Sequence, residues 1–199
     1  MKDDLTDLVC IVDRSGSMET ICDDAIGGFN AFLAAQKAAP GTARLTYAQF
    51  DDRYELVHDA APLGAVPPLT RETFVPRGST ALYDAICRTM DRVGQRLAAT
   101  PEAERPAKVV VVIVTDGQEN ASRHHAHADV QRRIAHQRDV YGWEFVFLAA
   151  NQDAMAGAVH LGMAAEDGVA FSVQSSVHVQ ESYAALSAAT MTRRSRPRA

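Results

Sequence analysis

The sequence KVVVVIVTDG, residues 108–117, joins an unbroken apolar run to an aspartate and a glycine. Apolar residues fill every position from Val109 to Val114, without the alternation of a strand that has one face in water. Such a run predicts a central strand that helices cover on both faces. The run LVCIV at residues 8–12 is similar and also ends at an acidic residue, Asp13. We therefore expect two strands of one sheet, each followed by a carboxylate.

Other strand-like segments alternate with helix-like ones along the chain. Strands are predicted at residues 8–12, 43–50, 54–58, 108–115, 143–150 and 169–173. The second and third are separated only by DDR, which is too short for a crossover and predicts an antiparallel hairpin. One intervening helix is indicated by apolar residues at three- and four-residue steps: Leu82, Ile86, Met90, Val93 and Leu97. The pattern predicts an α/β fold with a doubly wound, mostly parallel six-stranded sheet. One edge strand is antiparallel, and helices cover both faces, as in Rossmann-like folds.

Composition agrees with one globular domain. The chain has 199 residues, 47% of them hydrophobic, and a formal net charge of -5, so overall charge gives no indication of nucleic-acid binding. No segment approaches the ~18 consecutive apolar residues of a membrane span. The acidic start MKDDLTD lacks the pattern of a signal peptide, and we therefore expect a cytoplasmic protein.

The cysteines and the chain end complete this outline. Cys10, Cys22 and Cys87 form no CxxC motif and are expected to be buried, reduced thiols. Residues 1–192 are predicted to form the domain, and the arginine-rich residues 193–199 are predicted to be a disordered tail.

Oxygen-bearing side chains follow the two acidic strand ends and precede one helix. Asp13, Ser15 and Ser17 lie in the segment DRSGS, and Asp116 directly follows the fourth strand. Thr80, in the segment GST, begins the helix that leads back to that strand. Ligands of doubly wound sheets bind outside the carboxyl ends of the strands, where the strand order reverses. Two carboxylates and three hydroxyls are a suitable donor set for a hard cation such as Mg²⁺.

The segments DRSGS, GST and TDG resemble the D-x-S-x-S, Thr and Asp pattern of von Willebrand factor type A (VWA) domains, where it forms the metal-ion-dependent adhesion site. The resemblance implies the VWA fold over nearly the whole chain. It also implies metal-ligand roles for five residues: Asp13, Ser15, Ser17, Thr80 and Asp116. The metal would be Mg²⁺, with Mn²⁺ or Ca²⁺ as substitutes, and a partner would supply an Asp or Glu carboxylate to an open position on it.

The resemblance further suggests the kind of partner. A stand-alone chain without a signal sequence is most similar to the intracellular bacterial VWA proteins, which suggests an AAA+ ATPase or another component of a stress or assembly system. We therefore expect a metal-dependent protein-binding module, not an enzyme, that binds neither nucleic acid nor membrane. Five loop residues are candidates for a partner-binding rim: Arg77, Gln118, Asn120, Asn151 and Asp153. The last two could equally cap the helix that follows them.

Simpler roles for the same side chains stay open. Ser17 and Thr80 each precede a predicted helix and could be N-caps. Asp116 and Gly117 could form only a turn. The three segments together, at positions that the fold brings close, favour the metal site over these separate explanations.

Two further kinds of site, an enzyme centre and a zinc site, are compatible with some of these residues. Asp13 could be the nucleophile of a Mg²⁺-dependent phosphohydrolase. Such enzymes usually have a second acid where this chain has Ser15, and the sequence contains no phosphate-binding loop or nucleophile elbow. His124, His125 and His127 are close in sequence but lack a cysteine or a further well-placed ligand. A solvated helix start is the favoured interpretation of these histidines.

Overall fold

The structure, a computed structural model, describes residues 1–150, 154–171 and 175–196. Within this part of the chain, strands alternate with helices. The strands are β1 (Lys2–Asp13), β2 (Thr42–Phe50), β3 (Tyr54–Pro62), β4 (Pro106–Thr115), β5 (Glu144–Ala150) and β6 (Gly168–Phe171). The α-helices are α1 (Cys22–Ala38), α2 (Leu82–Ala99), α3 (His127–Tyr141), α4 (Ala154–His160) and α5 (Ser176–Ser195). A short 3-10 helix, Gly16–Ile21, precedes α1.

The strands form one sheet in the order β3-β2-β1-β4-β5-β6. β2 and β3 are antiparallel, and the other neighbouring pairs are parallel. β1 and β4 are the central pair, with Val9 opposite Val111 and Ile11 opposite Ile113. The strand order reverses between them, because the chain moves outwards to β2 on one side and to β5 on the other. The predicted doubly wound, mostly parallel sheet with one antiparallel edge strand is confirmed.

The central strands are apolar on both faces because a layer of helices covers each face. Val110 and Val112 of β4 pack in the core on the side of α1 and α5, whereas Val111 and Ile113 pack on the side of α2 and α3. All four side chains are at most 1% exposed. Burying a valine or isoleucine side chain stabilises a fold by about 1.5–3 kcal/mol. The unbroken apolar run of β4 is therefore required by its position in the sheet.

The helices also follow the sequence pattern. Four of the five apolar residues predicted for the core-facing stripe of α2 are buried, and Leu97 is half-buried. The three cysteines are free and buried, as expected. None of the described helices has the length and hydropathy needed to cross a lipid bilayer.

Two strands are longer than their apolar runs predict. β1 begins at Lys2, because Lys2 pairs with Pro106 and Leu5 pairs with Thr42. β3 continues to Pro62 along the antiparallel partner strand. Backbone pairing extends both strands beyond their apolar residues, and hydropathy does not register that pairing. Residues 172–173 of the predicted last strand lie outside the described residues.

The structure corrects the domain boundary expected at residue 193. Helix α5 continues to Ser195, and Arg193 and Arg194 are both buried. Arg193 Nη2 donates to Asp167 Oδ1 at 2.6 Å, and Arg194 Nη1 donates to the Gln36 carbonyl at 2.7 Å. Two arginines with such partners belong to the domain, although their charge is typical of a solvated tail. Residues 197–199 of the expected tail lie outside the described residues.

The end of α5 lies at the edge of the sheet where the parallel strands begin. Lys108, near the start of β4, donates a hydrogen bond from Nζ to the Arg194 carbonyl. The start of β1 is at the same edge, since Lys2 pairs with Pro106. The opposite edge, where β1 and β4 end, carries the candidate metal ligands.

Candidate metal centre

Asp13 is the last residue of β1 and is fully buried. Its Oδ1 accepts a hydrogen bond from the Ser15 N–H at 2.7 Å, and its Oδ2 accepts one from the Thr115 hydroxyl at 2.6 Å. Thr115 reaches Asp13 because β1 and β4 run side by side, with Val12 opposite Val114. Burial raises the pKa of Asp13 to about 6, although both hydrogen bonds act to lower it.

The two serines connect the first loop to the third. Ser15 Oγ lies 3.1 Å from Ser17 Oγ, and the Ser17 hydroxyl donates to Asp116 Oδ1 at 2.8 Å. These separations are close to the ~3 Å between adjacent ligands of an octahedral Mg²⁺ with bonds of ~2.1 Å. Burial raises the pKa of Asp116, and the hydrogen bond from Ser17 offsets this in part. Neither serine acts as a helix cap through its side chain.

Thr80 is held by its backbone, while its hydroxyl makes no hydrogen bond within the described residues. The Thr80 N–H donates to Asn120 Oδ1 at 2.9 Å, and its carbonyl accepts from the N–H of Asn120 at 3.0 Å. The N-cap of α2 is Ala81, and the first-turn N–H groups of Tyr83 and Asp84 donate to Glu119 Oε2 and Ser122 Oγ. The suggested role of Thr80 as an N-cap is therefore wrong. A buried threonine whose hydroxyl is not used locally is suited to bind a cation.

Glycine backbones bring the three loops close together. A Cβ on Gly117 would lie 3.2 Å from Thr80 Oγ1 and 3.6 Å from Ser17 Oγ. A side chain at this position would therefore crowd the hydroxyls of both other loops. The Gly16 N–H donates to the Gly78 carbonyl at 3.1 Å, which ties the first loop to the second. All five predicted ligands thus lie on three mutually contacting loops.

Arg14 lies between Asp13 and Ser15 in sequence but is directed to a different carboxylate. Its Nε donates to Asp51 Oδ2 at 3.0 Å, and the Arg77 Nε donates to the same oxygen at 2.8 Å. Arg14 and Asp51 are both buried. We name these three residues, Arg14, Asp51 and Arg77, the Asp51 network. Burial alone would raise the pKa of Asp51, but hydrogen bonds from Arg77 and the Arg53 N–H, with the charge of Arg14, lower it.

The donor set of the candidate centre fits a hard divalent cation. It combines two desolvated carboxylates, Asp13 and Asp116, with the hydroxyls of Ser15, Ser17 and Thr80. Within the described ranges, neither carboxylate forms an ion pair with a basic side chain. A bound cation would supply the missing positive charge, and all-oxygen ligation favours Mg²⁺, Mn²⁺ or Ca²⁺ over softer metals.

The histidine cluster is arranged differently from a zinc site. His125 Nδ1 lies 2.9 Å from Asp84 Oδ1, and the His127 ring stacks on His160 with centroids 3.8 Å apart. Helix α3 begins at His127, so His124 precedes it and does not share a helical face with it. Across the described part of the chain, no group of three or more His, Cys, Asp or Glu side chains is placed to hold a metal ion. The predicted solvated helix start therefore fits His124, which is exposed, whereas His125 and His127 are half-buried against these partners.

The predicted rim residues divide into three groups. Gln118 is exposed beside the candidate centre. Arg77 is half-exposed and belongs to the Asp51 network, while Asn120 positions Thr80 through two hydrogen bonds. Asn151 and Asp153 lie outside the described residues.

Sequence reasoning missed Thr115 and the Asp51 network. Thr115 could have been found by extending the expected pairing of β1 with β4 by one residue, which sets it opposite Asp13. Asp13 is the last residue of β1 and Asp51 directly follows β2, so the sequence places a carboxylate at a third strand end. Nothing in the sequence pattern indicates that Arg14 pairs with Asp51 rather than with its neighbour.

Comparison with known proteins identifies the architecture. No protein-family model matches the sequence, and no curated protein matches it. Several solved structures do match. One is proximal thread matrix protein 1 from the mussel byssus, solved with zinc in its metal-ion-dependent adhesion site (MIDAS) motif. It has a TM-score of 0.63 at 16% identity over 96% of this chain. The von Willebrand factor type A structure from Catenulispora acidiphila has a TM-score of 0.57 at 15% identity over 94% of this chain. The pilus adhesin SpaC from Lactobacillus rhamnosus GG has a TM-score of 0.65 at 13% identity over 96% of this chain.

This chain spans 47%, 42% and 30% of those three structures, respectively, which is less than half of each. At these identities the likeness establishes the fold. The chain has the fold of von Willebrand factor type A domains, as its sequence pattern predicted.

Proposed function

We propose that this chain, with its VWA fold, is a metal-dependent protein-binding module. Asp13, Ser15, Ser17, Thr80 and Asp116 would hold Mg²⁺, with Mn²⁺ or Ca²⁺ as substitutes. The observation that carries the proposal is a pair of carboxylates, buried Asp13 and half-buried Asp116, that accept hydrogen bonds from hydroxyls and form no described ion pair. The bound cation would supply an electrophilic position for a carboxylate from a partner.

The charges of the ligands favour an acidic partner. Ser15, Ser17 and Thr80 contribute neutral oxygens, and Asp116 is already engaged by the Ser17 hydroxyl. We propose that Asp116 reaches the cation through a water molecule, so that Asp13 is the carboxylate in direct contact and positive charge remains on the cation to attract an Asp or Glu side chain. In a partly dehydrated crevice this attraction is stronger than in water. Gln118 is exposed beside these loops and would contact the backbone of such a partner.

Two of the similar structures support a role in metal binding and protein binding. One is an adhesin and another holds a metal ion in its MIDAS motif. For this chain we propose a protein partner, such as an AAA+ ATPase or another component of a stress system, in the cytoplasm. We propose no catalytic activity and no nucleic-acid or membrane ligand.

A Mg²⁺-dependent phosphohydrolase is the second candidate, with Asp13 as nucleophile. Burial argues against it, because Asp13 is 0% exposed and each of its carboxylate oxygens accepts a hydrogen bond from the protein. A nucleophilic carboxylate needs an oxygen within reach of the phosphorus atom. The geometry suits Asp13 better as a metal ligand.

Calorimetric titration of Mg²⁺ into the metal-free protein tests the proposal. We expect saturable binding that Asp13→Asn abolishes and that Glu55→Gln leaves unchanged. Glu55 is the matched control, because it is a nearby, largely exposed carboxylate that pairs with Arg14 outside the centre. Equal Mg²⁺ affinity in wild type and Asp13→Asn would contradict the assignment. Mg²⁺-dependent hydrolysis of p-nitrophenyl phosphate that disappears in Asp13→Asn would instead support the phosphohydrolase.

A further inference from the structure

A polar cavity lies beside the start of α2. It has a volume of about 200 Å³, and its walls come from the β2–β3 turn, the first turns of α2 and the loop between β4 and α3. Ala81, which directly follows Thr80, is part of its lining. The cavity is therefore close to the candidate metal centre but uses none of its ligands.

The arginines that line the cavity are those whose side chains have no hydrogen-bond partner among the described residues. Almost every arginine in the described part of the chain donates from its guanidinium to a carboxylate, an amide or a carbonyl, as Arg92 does to Asp59. The exceptions among the described residues are Arg53, Arg88 and Arg123, whose side chains donate no hydrogen bond and form no ion pair. All three line this one cavity, together with His124. We name these four residues the cationic pocket.

The three arginines belong to separate elements, and all three are exposed. Arg53 lies in the β2–β3 turn, Arg88 lies in α2, and Arg123 lies in the loop before α3. The Arg88 guanidinium lies 4.6 Å from the centroid of the Tyr54 ring, and this cation–π contact holds it at the cavity. A guanidinium in this position keeps its N–H groups available for a ligand.

The carboxylates that line the cavity are directed elsewhere. Asp84 accepts hydrogen bonds from the N–H groups of Arg123, His124 and His125 and lies 2.9 Å from the His125 ring nitrogen. Asp52 Oδ1 occupies the space that a side chain on Gly78 would need. Among the described residues, neither carboxylate forms an ion pair with the three arginines, so the guanidinium groups of the arginines that line the cavity are unpaired.

We propose that the cationic pocket binds a phosphoryl group, either as free phosphate or as the phosphorylated side chain of a partner. A phosphoryl group presents three terminal oxygens and close to two negative charges, which suits a cavity lined by three arginines from separate elements. A carboxylate presents only two oxygens and one charge. This assignment is independent of the metal centre and extends the proposed function to a second kind of ligand.

Calorimetric titration of inorganic phosphate in EDTA, at constant ionic strength, tests the pocket without any contribution from a bound metal. We expect saturable binding that Arg88→Gln or Arg123→Gln weakens by about tenfold each, since each removes a charge-assisted donor. Arg92→Gln is the matched control, because it removes the same charge from the same helix but leaves the pocket intact. Thermal unfolding of each variant reports whether the fold is preserved.

A second arm of the experiment distinguishes the two sources of phosphate. A Gly-phosphoserine-Gly peptide that binds more tightly than inorganic phosphate, with no binding of Gly-Ser-Gly, supports a phosphorylated partner. Tighter binding of inorganic phosphate supports the free anion. Absence of saturable binding by both probes in the wild type would overturn the proposal, as would an equal loss of affinity in Arg92→Gln. Since the titrations contain no metal, failure here leaves the Mg²⁺ proposal standing, and the reverse also holds.

Discussion

The carboxylates at the carboxyl ends of the strands are of two kinds, which differ in whether a basic side chain pairs with them. Asp51 lies between Arg14 and Arg77, and although burial opposes it, these contacts lower its pKa. Asp13 and Asp116 accept hydrogen bonds from hydroxyls and a backbone N–H, and burial raises the pKa of both. Arg14 directly follows Asp13 in the sequence, so the difference does not come from the lack of a nearby cation.

The difference separates a structural carboxylate from a ligand-binding one. The same contrast occurs along β1, where Asp7 is buried like Asp13 but is paired with Arg44 and Arg96. A fold that only had to stabilise buried charge would pair Asp13 as it pairs Asp7 and Asp51. Desolvated carboxylates that accept hydrogen bonds from neutral groups and have no basic partner among the described residues therefore mark a place where an external cation is favourable.

The largest effect on stability is expected when Asp51, the carboxylate that is paired with arginines, is removed. Asp51→Ala leaves the buried Arg14 guanidinium without its main counter-charge. We expect a loss of about 3–5 kcal/mol in the free energy of unfolding, as for other broken buried ion pairs. Urea denaturation monitored by circular dichroism measures it. If Asp51→Ala does not fold, Asp51→Asn provides the same comparison with less loss of volume.

The control for this measurement removes a different partner of Arg14. Glu55 is 55% exposed, and the pair it forms with Arg14 is open to solvent. Glu55→Ala should therefore cost less than about 1 kcal/mol. A similar cost for Asp51→Ala and Glu55→Ala would show that the Asp51 network has no special structural role.

Addition of Mg²⁺ tests the carboxylates that have no basic partner among the described residues. At a Mg²⁺ concentration 100 times its dissociation constant, wild type should gain about 2.7 kcal/mol of stability by mass action. Asp13→Asn should gain nothing. Without metal, we expect the stability of Asp13→Asn to stay close to that of wild type, because the carboxylate it loses has no basic partner among the described residues. Thermal unfolding with Mg²⁺ and with EDTA measures both quantities, and strong destabilisation of metal-free Asp13→Asn would contradict the comparison.

Asp84 is a further carboxylate with hydrogen-bond partners, and its contribution to stability should depend on pH. Burial alone would raise its pKa, but hydrogen bonds from the Arg123 N–H, the His125 ring and neighbouring N–H groups lower it. A lowered pKa in the folded state contributes stability above the unfolded value of about 3.9, and this contribution is lost as the pH falls further. Asp84→Asn should therefore cost about 2 kcal/mol at pH 6. The cost should shrink towards pH 3, which urea denaturation at several pH values can follow. A difference that is independent of pH would rule out the titration of Asp84 as its cause.

The smallest effect on stability is expected at Thr80. Its hydroxyl makes no hydrogen bond within the described residues, so Thr80→Val should change stability by less than about 0.5 kcal/mol. Mg²⁺ affinity should nevertheless fall severalfold, because one oxygen ligand is lost. Thr192→Val is the control, since Thr192 is an exposed residue of α5 whose hydroxyl donates to the Ala188 carbonyl and not to any of the three loops. Unchanged Mg²⁺ affinity in Thr80→Val would remove Thr80 from the ligand set.

The sequence predicted the sheet and the position of the loops because both depend on local patterns. Six strand-like runs, the helices between them and the three-residue gap before β3 were sufficient to predict a doubly wound, mostly parallel sheet with one antiparallel edge strand. The direction of the Arg14 side chain was not predictable, because Asp13 and Asp51 compete for it and the distance along the chain gives the wrong answer. Arg193 and Arg194 were misassigned for a related reason, since their buried partners are remote in sequence.

The contact between Lys108 and Arg194 matters for attaching the protein to a surface. It brings the end of α5 to the edge of the sheet where β1 and β4 begin, so both ends of the described chain lie opposite the candidate metal centre. A tether fused to either terminus would leave the loops of Asp13, Thr80 and Asp116 pointing away from the point of anchorage. Immobilised in this orientation on a sensor surface, the protein would present the same face to solution from both ends.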